Sequence, residues 1–169
     1  MAEEWSWTAI EALGVAIRSE IEAALLYERL SQQVSNPSLV AKLGFLRLEE
    51  QKHRAMLESL YAQRFPGVEL KLPSESLVPI SSKVDLEQMS VPDLLRLAMH
   101  AEEVSAAFYR EQAERSRDET SRAVLRYLGN VEQGHLGMLE TEYELLLRFP
   151  DYYNADDLQF GNELMHIGP

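Results

Sequence analysis

Apolar residues recur every three to four positions through four stretches of the chain, which is the spacing of one helix face. The first stretch follows Thr8, where Thr8-x-x-Glu11 has the form of a capping box, and runs to about Val34. The second starts at Asn36, a good N-cap followed by Pro37, and ends at the breaker "RFPG". A third begins near Ser90, with Pro92 in its first turn, and ends near Ser116; a fourth follows Asp118 and stops before Pro150. The pattern predicts an all-α protein of four helices.

Each stripe is broken by charge. Helix one gives Leu13, Ile17, Glu20, Ala24, Tyr27, and helix two Leu43, Leu46, Glu50, His53, Leu57, Leu60. The third helix reads Leu95, Met99, Glu102, Ala106, Tyr109, and the fourth Leu125, Leu128, Glu132, His135, Leu139, Tyr143. So every helix sends one glutamate inward, and two of them add a histidine one turn on.

The halves of the chain are copies at a constant offset of 82: "EQKHRAMLESLY" at 50–61 returns as "EQGHLGMLETEY" at 132–143. The same offset relates Glu20 to Glu102, Tyr27 to Tyr109 and the caps Asn36 and Asp118. Two copies fall short of a solenoid. Between them lies "GVELKLPSESLVPISSKVDLEQM", too long for a tight turn. A 25-residue helix is about 37 Å long, which this segment spans easily when extended. Two helical hairpins joined by a crossover along a four-helix bundle are therefore expected. Its limits would be about 9–148 for the bundle, 64–91 for the crossover and 149–169 for an aromatic, acidic tail, all in a single domain 1–169.

Four inward carboxylates would repel one another and cost several kcal/mol each if left ionised. Two divalent cations would balance them, with both histidines as neutral ligands. Carboxylate and imidazole donors suit iron or manganese, with zinc as a substitute. One Glu-x-x-His is a weak signal, but two copies at a fixed offset, each with an inward Glu 30 residues upstream, are strong.

Composition narrows the rest. The absence of cysteine excludes disulfides, thiolate nucleophiles and iron–sulfur centres from these 169 residues. A net charge of -12, from 28 acidic and 16 basic residues, argues against nucleic acid as a partner. No apolar run is long enough for a membrane span and "MAEEWSWTAI" is not a signal-peptide pattern, so the expected location is the cytoplasm.

With these motifs the sequence resembles the rubrerythrin-like branch of the ferritin-like superfamily, over roughly residues 9–148. The resemblance implies a dinuclear, di-iron centre held by Glu20, Glu50, His53, Glu102, Glu132 and His135, with Glu50 and Glu132 bridging. It also implies that the Tyr27 and Tyr109 hydroxyls orient ligand carboxylates, though both equally suit a plain aromatic core. The activity implied is reduction of peroxide or dioxygen, and the assembly implied is a homodimer. Without the cysteine-rich rubredoxin module typical of the family, electrons would come from an external donor protein. Peroxide-reducing relatives also carry a glutamate three residues after the third-helix ligand, where this chain has Ser105. The alternatives are ferroxidase or iron handling, and a bundle that metals merely stabilise.

The remaining polar residues attract blander expectations. Glu22, Glu49 and Glu103 fall off the inward stripes and are expected on a solvated face; His100 is expected on the surface. His166 lies in the tail with no nameable partner, and Trp5 and Trp7 are expected to pack at the start of helix one. Gly129, Gly134 and Gly137 each cost a helix about 1 kcal/mol against alanine, which suggests close approach within the bundle or across a dimer.

Overall fold

The computed structural model describes residues 7–79, 86 and 88–151. They form four helices, α1 (Ala9–Gln33), α2 (Pro37–Arg64), α3 (Val91–Arg115) and α4 (Glu119–Arg148), with no strand among the described residues. Thr8 and Glu11 close the expected capping box, with the Thr8 N–H donating to Glu11 Oε2 at 2.9 Å. Asn36 Oδ1 accepts from the Leu39 N–H at 3.1 Å, and Asp118 Oδ2 from the Ser121 N–H at 2.8 Å. Ser90 caps α3 in the same way. Each cap satisfies a donor that the first helical turn leaves open.

Short links at 34–36 and 116–118 make α1 with α2, and α3 with α4, into hairpins, and α1 packs against α3 to complete a four-helix bundle. The crossover runs along α1, as expected. Its residues Lys71 and Pro73 pass over Gly14, where an added Cβ would stand in ordinary contact with Pro73 Cδ at 3.5 Å and the Lys71 carbonyl at 3.6 Å. Farther on, the Leu77 N–H donates to Ser19 Oγ at 2.9 Å, and Gln33 Nε2 donates to the Leu86 carbonyl at 3.4 Å.

The apolar core is split in two. One cluster draws on Leu13, Ile17, Leu57, Leu60, Phe108, Leu125 and Leu128, with Trp7 packed against it. The other draws on Leu26, Leu30, Leu39, Leu43, Leu94, Leu95 and Leu139. On every helix the inward glutamate falls between the residues given to the two clusters, so the polar centre sits at mid-bundle with apolar packing on both sides. That placement removes it from water, which strengthens every charge interaction within it. No helix among the described residues is long and apolar enough to cross a membrane.

Gly129 answers to close approach within the bundle: an added Cβ would meet Arg110 Cγ at 3.3 Å and Tyr109 Cβ at 3.4 Å. Gly134 and Gly137 face open space, so the same reason does not extend to them. Trp7 packs edge-on against Phe108 with ring centroids 5.7 Å apart. Trp5, His166 and nearly all of the tail lie outside the described residues.

Candidate metal centre

All six acidic and histidine residues expected at the centre are buried, none more than 3% exposed. They meet because the helical stripes converge at one level of the bundle, two from each hairpin. Glu20, Glu50, His53 and Glu132 offer donor atoms within 4.8 Å of one another, and so do Glu50, Glu102, Glu132 and His135. Glu50 and Glu132 belong to both groups, the position that a bridging carboxylate must occupy.

The two groups are related as the repeat would have them. His53 Nδ1 lies 2.9 Å from Glu132, 3.2 Å from Glu50 and 3.6 Å from Glu20. His135 Nδ1 lies 3.0 Å from Glu50, 3.1 Å from Glu132 and 3.7 Å from Glu102. Each imidazole thus turns Nδ1 toward both shared carboxylates and one unshared carboxylate. The rings stack at 5.5 Å with planes 16° apart.

Crosswise hydroxyls brace the unshared pair. Tyr27 of α1 donates to Glu102 of α3, and Tyr109 of α3 donates to Glu20 of α1. Burial first, and then the adjacent carboxylate, push both phenols well above their ordinary range, so they keep their protons and stay donors.

Burial raises Glu20 and Glu102 well above the usual carboxyl range, and their carboxylate neighbours add to the rise. Glu132 is pulled down to about 2: burial opposes this, but the His135 and His53 imidazoles close beside it outweigh it. Burial alone would lower both histidines, yet the surrounding carboxylates carry His53 far up and His135 to about 12. Protons therefore supply the compensating charge that the sequence assigns to cations.

That compensation is incomplete. Glu50 Oε1, both Glu132 oxygens and His135 Nδ1 are buried without a properly aligned hydrogen-bond partner, despite separations near 3 Å. The same residues offer donor atoms that all lie within 4.8 Å of one another in each four-residue group. Native buried polar groups are nearly always paired, so such a cluster fits the donor set of a metal ion. Donor type and count fit two divalent transition-metal ions.

A small pocket reaches the centre on the α1–α3 face. It holds about 10 Å³, room for one water, and is lined by Ala23 and Ser105 at equivalent positions of the repeat and roofed by crossover residues 76–78. Ser105 offers only a hydroxyl here. A second cleft of about 170 Å³ between α1 and α2 touches Glu20 and Glu50 from the side of Arg47 and Arg54.

Two expectations about surface glutamates change. Glu22 is buried, not solvated: Arg18 donates to it at 2.9 Å and the Ser76 hydroxyl lies 2.6 Å away. The covering crossover cannot be read from the periodicity of α1. Glu49 pairs with Lys52 at 2.5 Å as a surface residue would, but its side chain is only 15% exposed and it comes within 4.8 Å of a nitrogen of each histidine. Its spacing of four from His53 was the available signal, since residues so spaced share a helix face. Glu103 and His100 are exposed as expected.

Known proteins agree with this architecture. A hypothetical protein from Pyrococcus furiosus superposes with a TM-score of 0.76 at 38% identity, over 87% of this chain and 95% of its own. The dodecameric thioferritin of Bacteroides fragilis, a bacterioferritin-related protein, gives 0.69 at 18% identity, over 85% and 89%. KatB, a manganese catalase from Anabaena, gives 0.65 at 20%, over 86% and 77%. The latter two identities speak for a shared ferritin-like fold alone. Among curated proteins, none matches the sequence significantly. The rubrerythrin family profile, however, matches residues 11–143, and with a metal-suited Glu/His cluster at mid-bundle the chain belongs to the rubrerythrin family.

Proposed function

We propose that the protein is a di-iron oxidoreductase that reduces peroxide or dioxygen with electrons from a separate donor protein. The observation that carries this reading is the pair of four-residue groups sharing Glu50 and Glu132. Glu20 and His53 would complete one metal's ligands, Glu102 and His135 the other's. Bound iron would supply electrons and Lewis acidity.

The chain's own contribution is arrangement. Glu50 and Glu132 are held by helices of different hairpins, so the metal spacing is fixed by bundle packing and not by a loop. Tyr27 and Tyr109 fix the rotamers of Glu102 and Glu20 and remain protonated while doing so. The pocket beside Ser105 admits little more than a water-sized molecule, which favours a small inorganic oxidant on that face. With Ser105 in place of an extra carboxylate, no spare ligand stands ready on α3 to exchange with His135 or Glu102.

The test is stopped-flow mixing of anaerobically reduced, iron-loaded protein with hydrogen peroxide and, separately, dioxygen. Oxidation of the iron by either within seconds to minutes supports the reading; failure with both refutes it. Iron loading followed by light scattering and metal analysis separates it from storage. Two irons per chain on a small, fixed assembly is expected, whereas growth to many irons per chain would favour iron handling.

A further inference from the structure

The ligand set is symmetric under the repeat, but its surroundings are not. Glu49 lies one turn before His53, and the offset of 82 places Val131 one turn before His135. The two halves therefore differ in charge at the positions behind their histidines.

Each imidazole turns Nδ1 toward the carboxylates, which leaves Nε2 on the far side of the ring. A histidine that gives Nδ1 to a metal as a neutral ligand must carry its proton on Nε2. His53 Nε2 is buried and has no hydrogen-bond partner, in a side chain 1% exposed. An N–H in that state wants an acceptor. A Glu49 carboxylate oxygen is within 4.8 Å of a nitrogen of His53 and of a nitrogen of His135. Its present partner is Lys52, whose side chain is 68% exposed and is therefore free to find water instead. On α4 the corresponding side chain, Val131, can accept nothing.

We infer that Glu49 is a positioning residue that accepts the Nε2–H of His53 when Nδ1 holds a metal, making the two halves of the symmetric centre unequal. This rests on the dinuclear reading of the site. A carboxylate on the outer N–H fixes the tautomer, orients the ring and makes the ligating nitrogen more basic. The metal held by Glu20 and His53 then binds first and more tightly than the metal held by Glu102 and His135.

The experiment uses the full chain, stripped of metal and titrated with Co(II) under anaerobic conditions, read by visible absorption and by calorimetry. Wild type should load in two resolved steps. Glu49→Val, which copies the α4 position, should weaken the first step by about 10- to 100-fold and draw the two together. Glu49→Gln keeps a neutral acceptor and should recover part of the difference. Val131→Glu should tighten the second step, and Lys52→Ala, which removes only the exposed ion pair, should leave both unchanged. Two Co(II) ions bound in Glu49→Val with wild-type steps would overturn this inference while leaving the metal centre intact. If wild type binds no Co(II), the dinuclear reading itself fails. Equal weakening of both steps in Glu49→Val, unrelieved in Glu49→Gln, would also overturn it, because that marks a general structural effect.

Discussion

Replacing Tyr109 by phenylalanine removes one hydroxyl and little else. The ring sits fully buried against Phe108, 5.6 Å between centroids, and that packing survives. What is lost is the hydrogen bond to Glu20, a ligand candidate whose carboxyl burial pushes toward its neutral form without metal. A bond to a neutral carboxyl contributes about 0.5–1.5 kcal/mol, and one to an ionised carboxylate about 1.5–3 kcal/mol. The variant should therefore cost the metal-free fold about 1 kcal/mol, a drop in Tm of roughly 2–4 °C for a chain of this size. The metal-loaded form should lose about 1 kcal/mol more, which weakens one of the two binding steps by roughly five- to tenfold. Tyr27→Phe should do the same to the other step through Glu102. Thermal melts with and without chelator, together with Co(II) titrations of each variant, measure both quantities. If Tyr109→Phe binds two metals with unchanged constants, the hydroxyl does not act through Glu20 and the reasoning is wrong. An equal loss in both steps would refute it too.

Further consequences can be checked separately. In the metal-free protein His53, His135, Glu20 and Glu102 are all shifted upward, toward their protonated forms, so loading metals should release protons. Raised folded-state values mean that the histidines' contribution to metal-free stability is complete below about 6.5 and lost as pH rises toward about 12. The raised carboxyls act the same way, destabilising the metal-free fold as pH climbs above 4.5. Metal affinity must therefore climb with pH; calorimetry in buffers of different ionisation enthalpy that detects no proton release would contradict this. Gly134→Ala and Gly137→Ala should each stabilise by about 1 kcal/mol in urea melts, whereas Gly129→Ala should gain nothing because its Cβ crowds α3. Ser19→Ala removes the acceptor for the Leu77 N–H and should speed its hydrogen exchange without unfolding the bundle; unchanged exchange would show that the crossover is held elsewhere.

The four helices were legible because caps and stripes agree: Thr8, Asn36 and Asp118 each accept the hydrogen bond that their sequence context predicts. The convergence of Glu20, Glu50, His53, Glu102, Glu132 and His135 was legible for a different reason. Charge on an apolar stripe has few physical excuses, and its repetition 82 residues later leaves fewer. Glu22 escaped because its burial depends on a second segment, the crossover carrying Ser76, whose path has no periodicity to read. Glu49 escaped for a subtler reason. It borders the inward stripe, and whether such a residue meets water or a histidine depends on how far α2 and α4 stand apart. Gly134 and Gly137 face open space on α4, and nothing in the structure explains them.

If six side chains hold two metal ions, counting the bound ions shows it. Metal-free protein loaded anaerobically with Fe(II), freed of unbound iron and analysed for metal and protein, should carry two ions per chain. Glu50→Ala and His135→Ala should each carry at most one, since each removes a donor from a four-residue group. Two ions retained in both variants, or fewer than one in the wild type, would contradict the account.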